Sequence, residues 1–308
     1  MHHLDPGQLD ALAAVLREGS FERAAHSLHV TPSAVSQRIK ALEDRVGAVL
    51  VVRAQPCVAT PMGQRLRHHA ERLALLAHEL QPLLASTSGS AGGRGAGAAP
   101  PTLRIAVNAD SLATWFMPAA AAFATASGAL LDLVLDDQDH TADALRRGEV
   151  LAAVTAEATP VPGARSVALG RLRYRATASP AFMARHFAPG VNVRTLAVAP
   201  CLRFNQKDQL QARWLRRVCR RTLHPPCHGL ASSQGFVDAC IAGLGWALNP
   251  EALVRPALAD GRLVELLPGK VLDLALWWQA SRLAVPLLQQ LGEHVQQQAL
   301  RHLHQGAG

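Results

Sequence analysis

No apolar run in this 308-residue chain reaches the ~20 residues that a membrane-crossing helix requires, because Arg, Asp, Gln or Pro interrupts each one. The opening residues, Met1-His2-His3-Leu4-Asp5-Pro6, show no basic segment followed by an apolar stretch and a small-residue cleavage site. A cytoplasmic location is expected, with no membrane partner. The five cysteines (Cys57, Cys201, Cys219, Cys227, Cys240) are odd in number and never spaced as Cys-x-x-Cys, against both a disulfide framework and a zinc ribbon. They read as reduced thiols, mostly buried. His224 and Cys227-His228 are separated by two prolines and lack a second ligand pair, so no metal is expected there. No Ser-His-Asp order or nucleotide-cradling glycine loop stands out, although Gly243-x-Gly245 resembles one superficially. Neither an enzyme nor a cofactor is expected.

The length suits about two domains. The boundary falls in residues 86–101, STSGSAGGRGAGAAPP, where Gly, Ala, Ser and Pro exclude large apolar side chains and no core can form. The expected division is a winged helix-turn-helix in 1–62, a linker helix in 63–85, a tether in 86–101 and an α/β domain in 102–308. The net charge of +8 is compatible with a polyanionic partner. Eight basic residues face four acidic ones between Phe21 and Arg72.

In the first part, Leu9, Leu12, Ala13 and Leu16 predict a helix ending at Gly19. Ser20 caps a second helix, and Thr31-Pro32 opens a third that runs to about Arg45. Ala25 permits a close crossing, and Leu28, Val30, Val35 and Ile39 supply a shared core. Ser33, Ser36, Gln37, Arg38 and Lys40 remain for the outer face. Gln37 suits adenine, Arg38 guanine, the serines bases or phosphates, and Lys40 a phosphate. A merely solvated helical hairpin is the alternative. Residues 49–53 and 57–60 read as the two strands of a wing. From Pro61 a long helix carries Leu66, Ala70, Leu73, Leu76, Ala77, Leu80, Leu83 and Leu84, a pairing stripe or a seam against its own domain.

Ser20-Phe21-x-x-Ala24-Ala25-x-x-Leu28-x-Val30-Thr31-x-Ser33-Ala34-Val35-Ser36-x-x-Ile39-x-x-Leu42-Glu43, with Leu50-x-x-Arg53 and Thr60-Pro61-x-Gly63, resembles the N-terminal domain of LysR-type transcriptional regulators. Residues 106–115, 136–141, Arg203-Phe204-Asn205-x-Lys207-Asp208-x-Leu210-Gln211 and Ser233-x-Gly235-Phe236 resemble the ArgP/LysG subgroup, which regulates basic amino-acid export. The long glycine-rich tether and a wing poor in basic residues depart from that pattern. The resemblance implies double-stranded promoter DNA as partner, contacted by Thr31, Ser33, Ser36, Gln37, Arg38, Lys40 and Arg53. It also implies a homodimer or homotetramer, RNA polymerase as a further candidate partner, and a small-molecule effector, Lys or Arg.

After Thr102, strand-length apolar runs alternate with helical ones: strands at 103–107, 130–135 and 150–155, helices at 111–126 and 141–147. A second half runs from about Arg173 to about Asn249, with strands near Cys201, Gly229 and Trp246, before the chain returns to the first half at 271–279. The resemblance implies two periplasmic-binding-protein-like subdomains with a ligand cleft between them. Asn108, Asp110 and Ser111 lie at a strand-to-helix handover, where backbone N–H groups can hold a carboxylate; simple capping is the alternative. Asp136, Asp137 and Asp139 suit a cationic side chain, or form a solvated loop. Trp115 can cover an alkyl or cationic group or belong to the core. Asn205, Asp208, Ser232 and Gln234 are the second half's candidate effector contacts, with Asp208 also a plausible helix cap. A different effector, or a ligand-binding module that does not bind DNA, are the competing readings.

Overall fold

The computed structural model describes residues 4–87, 100–136, 141–282 and 286–306. No described helix is long and apolar enough to cross a membrane.

The N-terminal part opens with helices α1 (Pro6–Glu18), α2 (Phe21–Ser27) and α3 (Pro32–Val46). Asp5, Ser20 and Thr31 each accept a backbone N–H at their helix starts, and Gly19 and Gly47 end α1 and α3 in the left-handed conformation. Leu9, Leu12, Val15, Ala24, Ala25, Val35, Ile39, Leu42 and Leu50 form the core, with Leu28 and Val30 packed on it. The wing is a short antiparallel pair, β1 (Val51–Val52) and β2 (Val58–Ala59). Helix α4 (Pro61–Thr87) follows. Its first turn presses so closely on the wing that a Cβ on Gly63 would lie 2.0 Å from the Leu50 carbonyl oxygen. Leu66 and Ala70 join the N-terminal core. Leu73, placed on the apolar stripe by its spacing, is exposed, while Leu75 is buried.

The C-terminal part begins with β3 (Thr102–Asn108), which leads into a helix made of α5 (Ala109–Ser111), a widened turn (Leu112–Phe116) and α6 (Met117–Ser127). The widening precedes Pro118, which has no N–H and whose ring would collide with the Thr114 carbonyl in a regular α-turn. Next come β4 (Leu130–Asp136), α7 (Thr141–Arg146), β5 (Ala152–Thr155), the long β6 (Ala164–Ala178), α8 (Pro180–His186), α9 (Val193–Val198) and β7 (Cys201–Arg203). The remaining elements are α10 (Leu210–Cys219), β8 (Cys227–Gly229), α11 (Ser233–Ile241), β9 (Ala247–Pro250), α12 (Glu251–Ala259), β10 (Val264–Glu265), β11 (Leu272–Ser281) and α13 (Pro286–His302).

The main sheet has the order β10-β6-β11-β5-β3-β4, with β9 also paired to β6. Strands β3 and β5 are parallel, as their helical crossover requires. Strands β6 and β11 pair antiparallel from Ala164/Ser281 to Tyr174/Leu272; beyond that point β6 pairs with β9 and β10. These two strands therefore carry the chain between the halves. Their register shifts at Leu276/Trp277, opposite Gly170, whose φ of 126° and close approach by Gln305 and Leu303 admit no side chain. The second half has its own core, including Leu202, Phe236, Val237, Cys240, Ala247 and Val254. Arg175 on β6 joins Glu251 of α12 and Glu265 of β10.

Candidate functional sites

Helix α3 presents Ser33, Gln37 and Lys40 on one exposed face, at the i, i+4, i+7 spacing that brings residues together on a helix, with Ser36 half-buried beside them. Thr31 uses its hydroxyl as the cap of α3, accepting from the Ala34 N–H at 3.2 Å, and lies 2.9 Å from the Ser33 hydroxyl. Arg38, read from the sequence with the outward set, lies on the flank of α3 instead. It is half-buried and its charge acts on Asp10 of α1. The reason is angular: Arg38 is adjacent to Ile39 and three residues after Val35, so a 100° step turns it toward the packed side. Burial raises the Asp10 carboxyl above its usual range, with Arg38 opposing that shift and Asp5 adding to it.

Arg53 places its guanidinium over the Phe21 ring, 4.8 Å from the centroid, tying the wing to the first residue of α2. Two further contacts fix the wing. The Cys57 N–H donates to the Gly19 carbonyl at 2.9 Å, and Glu43 of α3 accepts from the N–H groups of Leu50 at 2.7 Å and Val51 at 3.3 Å. Glu43 stands in the sequence motif, but this role depends on a partner seven residues away that helical spacing does not indicate.

In the C-terminal part, Asn108 caps the helix after β3, its side-chain oxygen accepting from the Ser111 N–H at 2.7 Å. Asp110 accepts a 2.8 Å hydrogen bond from the hydroxyl of Tyr174 on β6. Asn108, Ser111 and Trp115 are buried, and three of their polar atoms have no protein hydrogen-bond partner among the described residues: Asn108 Nδ2, Ser111 Oγ and Trp115 Nε1. Buried donors left this way are costly unless something else accepts from them. All can donate to an anionic oxygen. Of the acidic cluster, Asp136 has no described side chain, and Asp137 and Asp139 lie outside the described residues.

Of the second-half residues singled out by sequence, Asn205 accepts from the Lys207 and Asp208 N–H groups, and Asp208 accepts from those of Phe204 and Leu210. They brace the β7–α10 loop. Gln209, not Asp208, holds the cap position of α10, because Asp208 folds back to Phe204 while also meeting Leu210. Ser232 caps α11 through the Gly235 N–H, and Gln234 donates to Asp238 on its own helix; both are exposed. Among the described residues, the buried polar atoms without partners are instead on residues close to them in the chain, Ser233 Oγ and both amide atoms of Gln211, and on Asn249 of β9, through its Oδ1. Gln211 and Ser233 stand in the sequence motifs without being singled out as contacts, and Asn249 and Tyr174 were missed. Tyr174 carried one available signal, being the chain's single tyrosine in a strand-forming stretch. The cysteines also differ from expectation: Cys201 and Cys240 are buried, Cys57 and Cys219 are half-buried, and Cys227 is exposed.

Two family models match the chain: the bacterial regulatory helix-turn-helix protein, lysR family, over residues 6–64, and the LysR substrate binding domain over 96–300. The chain belongs to the LysR-type transcriptional regulators. The HTH-type transcriptional regulator ArgP of Pseudomonas aeruginosa is 46% identical to this LysR-type regulator over 289 residues, 93% of each chain. The crystal structure of ArgP from Mycobacterium tuberculosis aligns with it at a TM-score of 0.77 and 44% identity, covering 99% of this chain and 100% of that one. Full-length LysG from Corynebacterium glutamicum, with the effector Arg bound, aligns at a TM-score of 0.65 and 40% identity, covering 98% and 100%. These relatives are named regulators, and the winged helix-turn-helix joined to a LysR substrate-binding domain is the architecture described above.

Proposed function

We propose that this LysR-type regulator senses a basic amino acid, Arg or Lys, and controls the gene of an amino-acid exporter. The observation that carries the effector assignment is the set of buried donors Asn108 Nδ2, Ser111 Oγ and Trp115 Nε1 around one strand-to-helix turn, which have no partner among the described residues. They suit the α-carboxylate of an amino acid. Asp110 beside them, and Asp137 from the acidic cluster, supply carboxylates for the ammonium or guanidinium end. The related LysG with bound Arg supports the same ligand class. Ser233 and Gln211 join Asn205, Asp208, Ser232 and Gln234 as second-half candidates because their buried polar atoms also await partners.

On the DNA side, Ser33, Ser36, Gln37 and Lys40 of α3 read the major groove, while Thr31 and Arg53 position α2, α3 and the wing. Arg38 reaches the groove only by swinging from its flank position. Helix α4 pairs two copies in the dimer from which a tetramer is built. The effector acts by binding two arrangements of the assembly with different affinity.

Thermal denaturation of the full chain against each amino acid tests the effector assignment, since a ligand that binds only the folded state raises the melting temperature. A rise with Arg or Lys alone is expected. No rise with either, or an equal rise with neutral amino acids, overturns it. For DNA, Gln37→Ala is expected to lower operator affinity without changing the melting temperature, and Lys40→Ala to reduce the slope of log affinity against log salt by about 1.

A further inference from the structure

Cys201 and Cys227 lie opposite each other in register at the start of the parallel strands β7 and β8, with their sulfur atoms 2.8 Å apart. Adjacent strands run ~4.8 Å apart, within the ~4.4–6.8 Å between Cα atoms that a disulfide spans, so the strands need not separate or slide for a bond to close. Both are held on either side: the Cys201 N–H donates to the Pro226 carbonyl, Leu202 N–H to Trp246 and Leu230 N–H to Arg203.

The two thiols have opposite access. Cys227 is exposed, whereas Cys201 is buried. Burial pushes the Cys201 thiol far up, and its contact with Cys227 pushes the same way, so it stays protonated. The remaining cysteines are on other elements, Cys57 in the wing, Cys219 at the end of α10 and Cys240 within α11. The pair lies at the start of the strand that leads into the Asn205–Asp208 loop.

We propose that Cys201 and Cys227 form a reversible dithiol–disulfide site whose oxidant is a small hydroperoxide. Cys227, having given its proton to solvent, attacks the terminal peroxide oxygen. The O–O bond breaks, and the departing oxygen takes up a proton as water or an alcohol, leaving a sulfenic acid on Cys227. The Cys201 sulfur then attacks the Cys227 sulfur, the S–O bond breaks, and the hydroxyl leaves with the Cys201 proton as water. Two thiols and one hydroperoxide thus give one disulfide, one water and one water or alcohol. A dithiol reductant reverses it.

The test treats the full-length protein with hydrogen peroxide, blocks the remaining thiols, and digests it without reductant using trypsin and chymotrypsin together. Cleavage after Phe236 separates Cys227 from Cys240. The expected result is loss of two titratable thiols per chain, a cross-linked peptide pair containing Cys201 and Cys227, and recovery of both thiols with dithiothreitol. In Cys201→Ser the sulfenic acid on Cys227 should persist and be trapped by dimedone, and in Cys227→Ser Cys201 should remain unreacted. Full alkylation of both thiols after peroxide, or a cross-link joining a different pair, overturns the proposal. The wild-type peptide map decides it even if neither variant folds.

Discussion

Tyr174, the only tyrosine in the chain, donates its hydroxyl to Asp110 at 2.8 Å, so β6, the strand shared by both halves, holds the carboxylate at the head of the first effector-domain helix. Tyr174 is fully buried, and at its position β6 changes partners from β11 to β9. A shift of β6 therefore moves the hydroxyl that orients Asp110. Within the proposed function, this connects the sensing turn to the crossover between halves.

Tyr174→Phe removes that hydroxyl while keeping the ring. A hydrogen bond to a charged group contributes about 1.5–3 kcal/mol, and about 1.4 kcal/mol is a tenfold change in affinity. Calorimetric titration with Arg or Lys is expected to show affinity falling by about tenfold or more in the variant. An unchanged dissociation constant would mean that Asp110 does not depend on Tyr174 to meet the ligand.

Glu43 joins α3 to the wing through two backbone N–H groups. Glu43→Ala leaves both donors without that acceptor and is expected to destabilise the N-terminal domain by about 1.5–3 kcal/mol. Glu43→Gln, whose amide oxygen can still accept, should lose less. Urea denaturation of the full-length variants measures the difference, and an Ala variant as stable as the wild type would show that the contact contributes nothing.

His29, in the turn between α2 and α3, has a φ of 53°, a left-handed conformation that costs a side chain with a Cβ about 1–2 kcal/mol. His29→Gly relieves that cost but loses about 0.5–1 kcal/mol to the freer unfolded chain, so a net stabilisation of up to about 1 kcal/mol is expected. His29→Val, β-branched at the same φ, should destabilise by about 1–2 kcal/mol. A Val variant as stable as the Gly variant would show that the turn relaxes.

The acid side of the stability profile follows from two carboxylates. Hydrogen bonds from Arg173 hold Asp273 below the usual carboxylate range against the opposing effect of burial. Burial would raise Glu251, but Arg175 and His304 together outweigh it and hold Glu251 low. Because both folded values lie below the unfolded ones, each contribution is fully present above the unfolded range near ~4. It is lost as pH falls through the folded value. The melting temperature is expected to drop as pH falls from about 5 toward 3, and Asp273→Asn to lower it at pH 7 while flattening that drop. A constant gap between wild type and variant across this range would remove Asp273 from the account.

Much of this regulator was legible in the chain because its signals are local. Ser20, Thr31 and Pro32 cap or start helices wherever the flanking residues allow, Gly19 and Gly47 stop them, and alternating strand and helix patterns from Leu103 to Thr155 correspond to β3 through β5. The handover at Asn108–Ser111 was visible for the same reason. What sequence could not assign depends on approach from distant residues. The flank position of Arg38 against Asp10, the Tyr174 hydroxyl on Asp110, the seating of Arg53 over Phe21 and the meeting of Cys201 with Cys227 join residues 26 to 64 apart, apart from the helix angle that turned Arg38. Spacing along the chain determines which face of an element a residue occupies; only the packing of one element on another decides what that face meets.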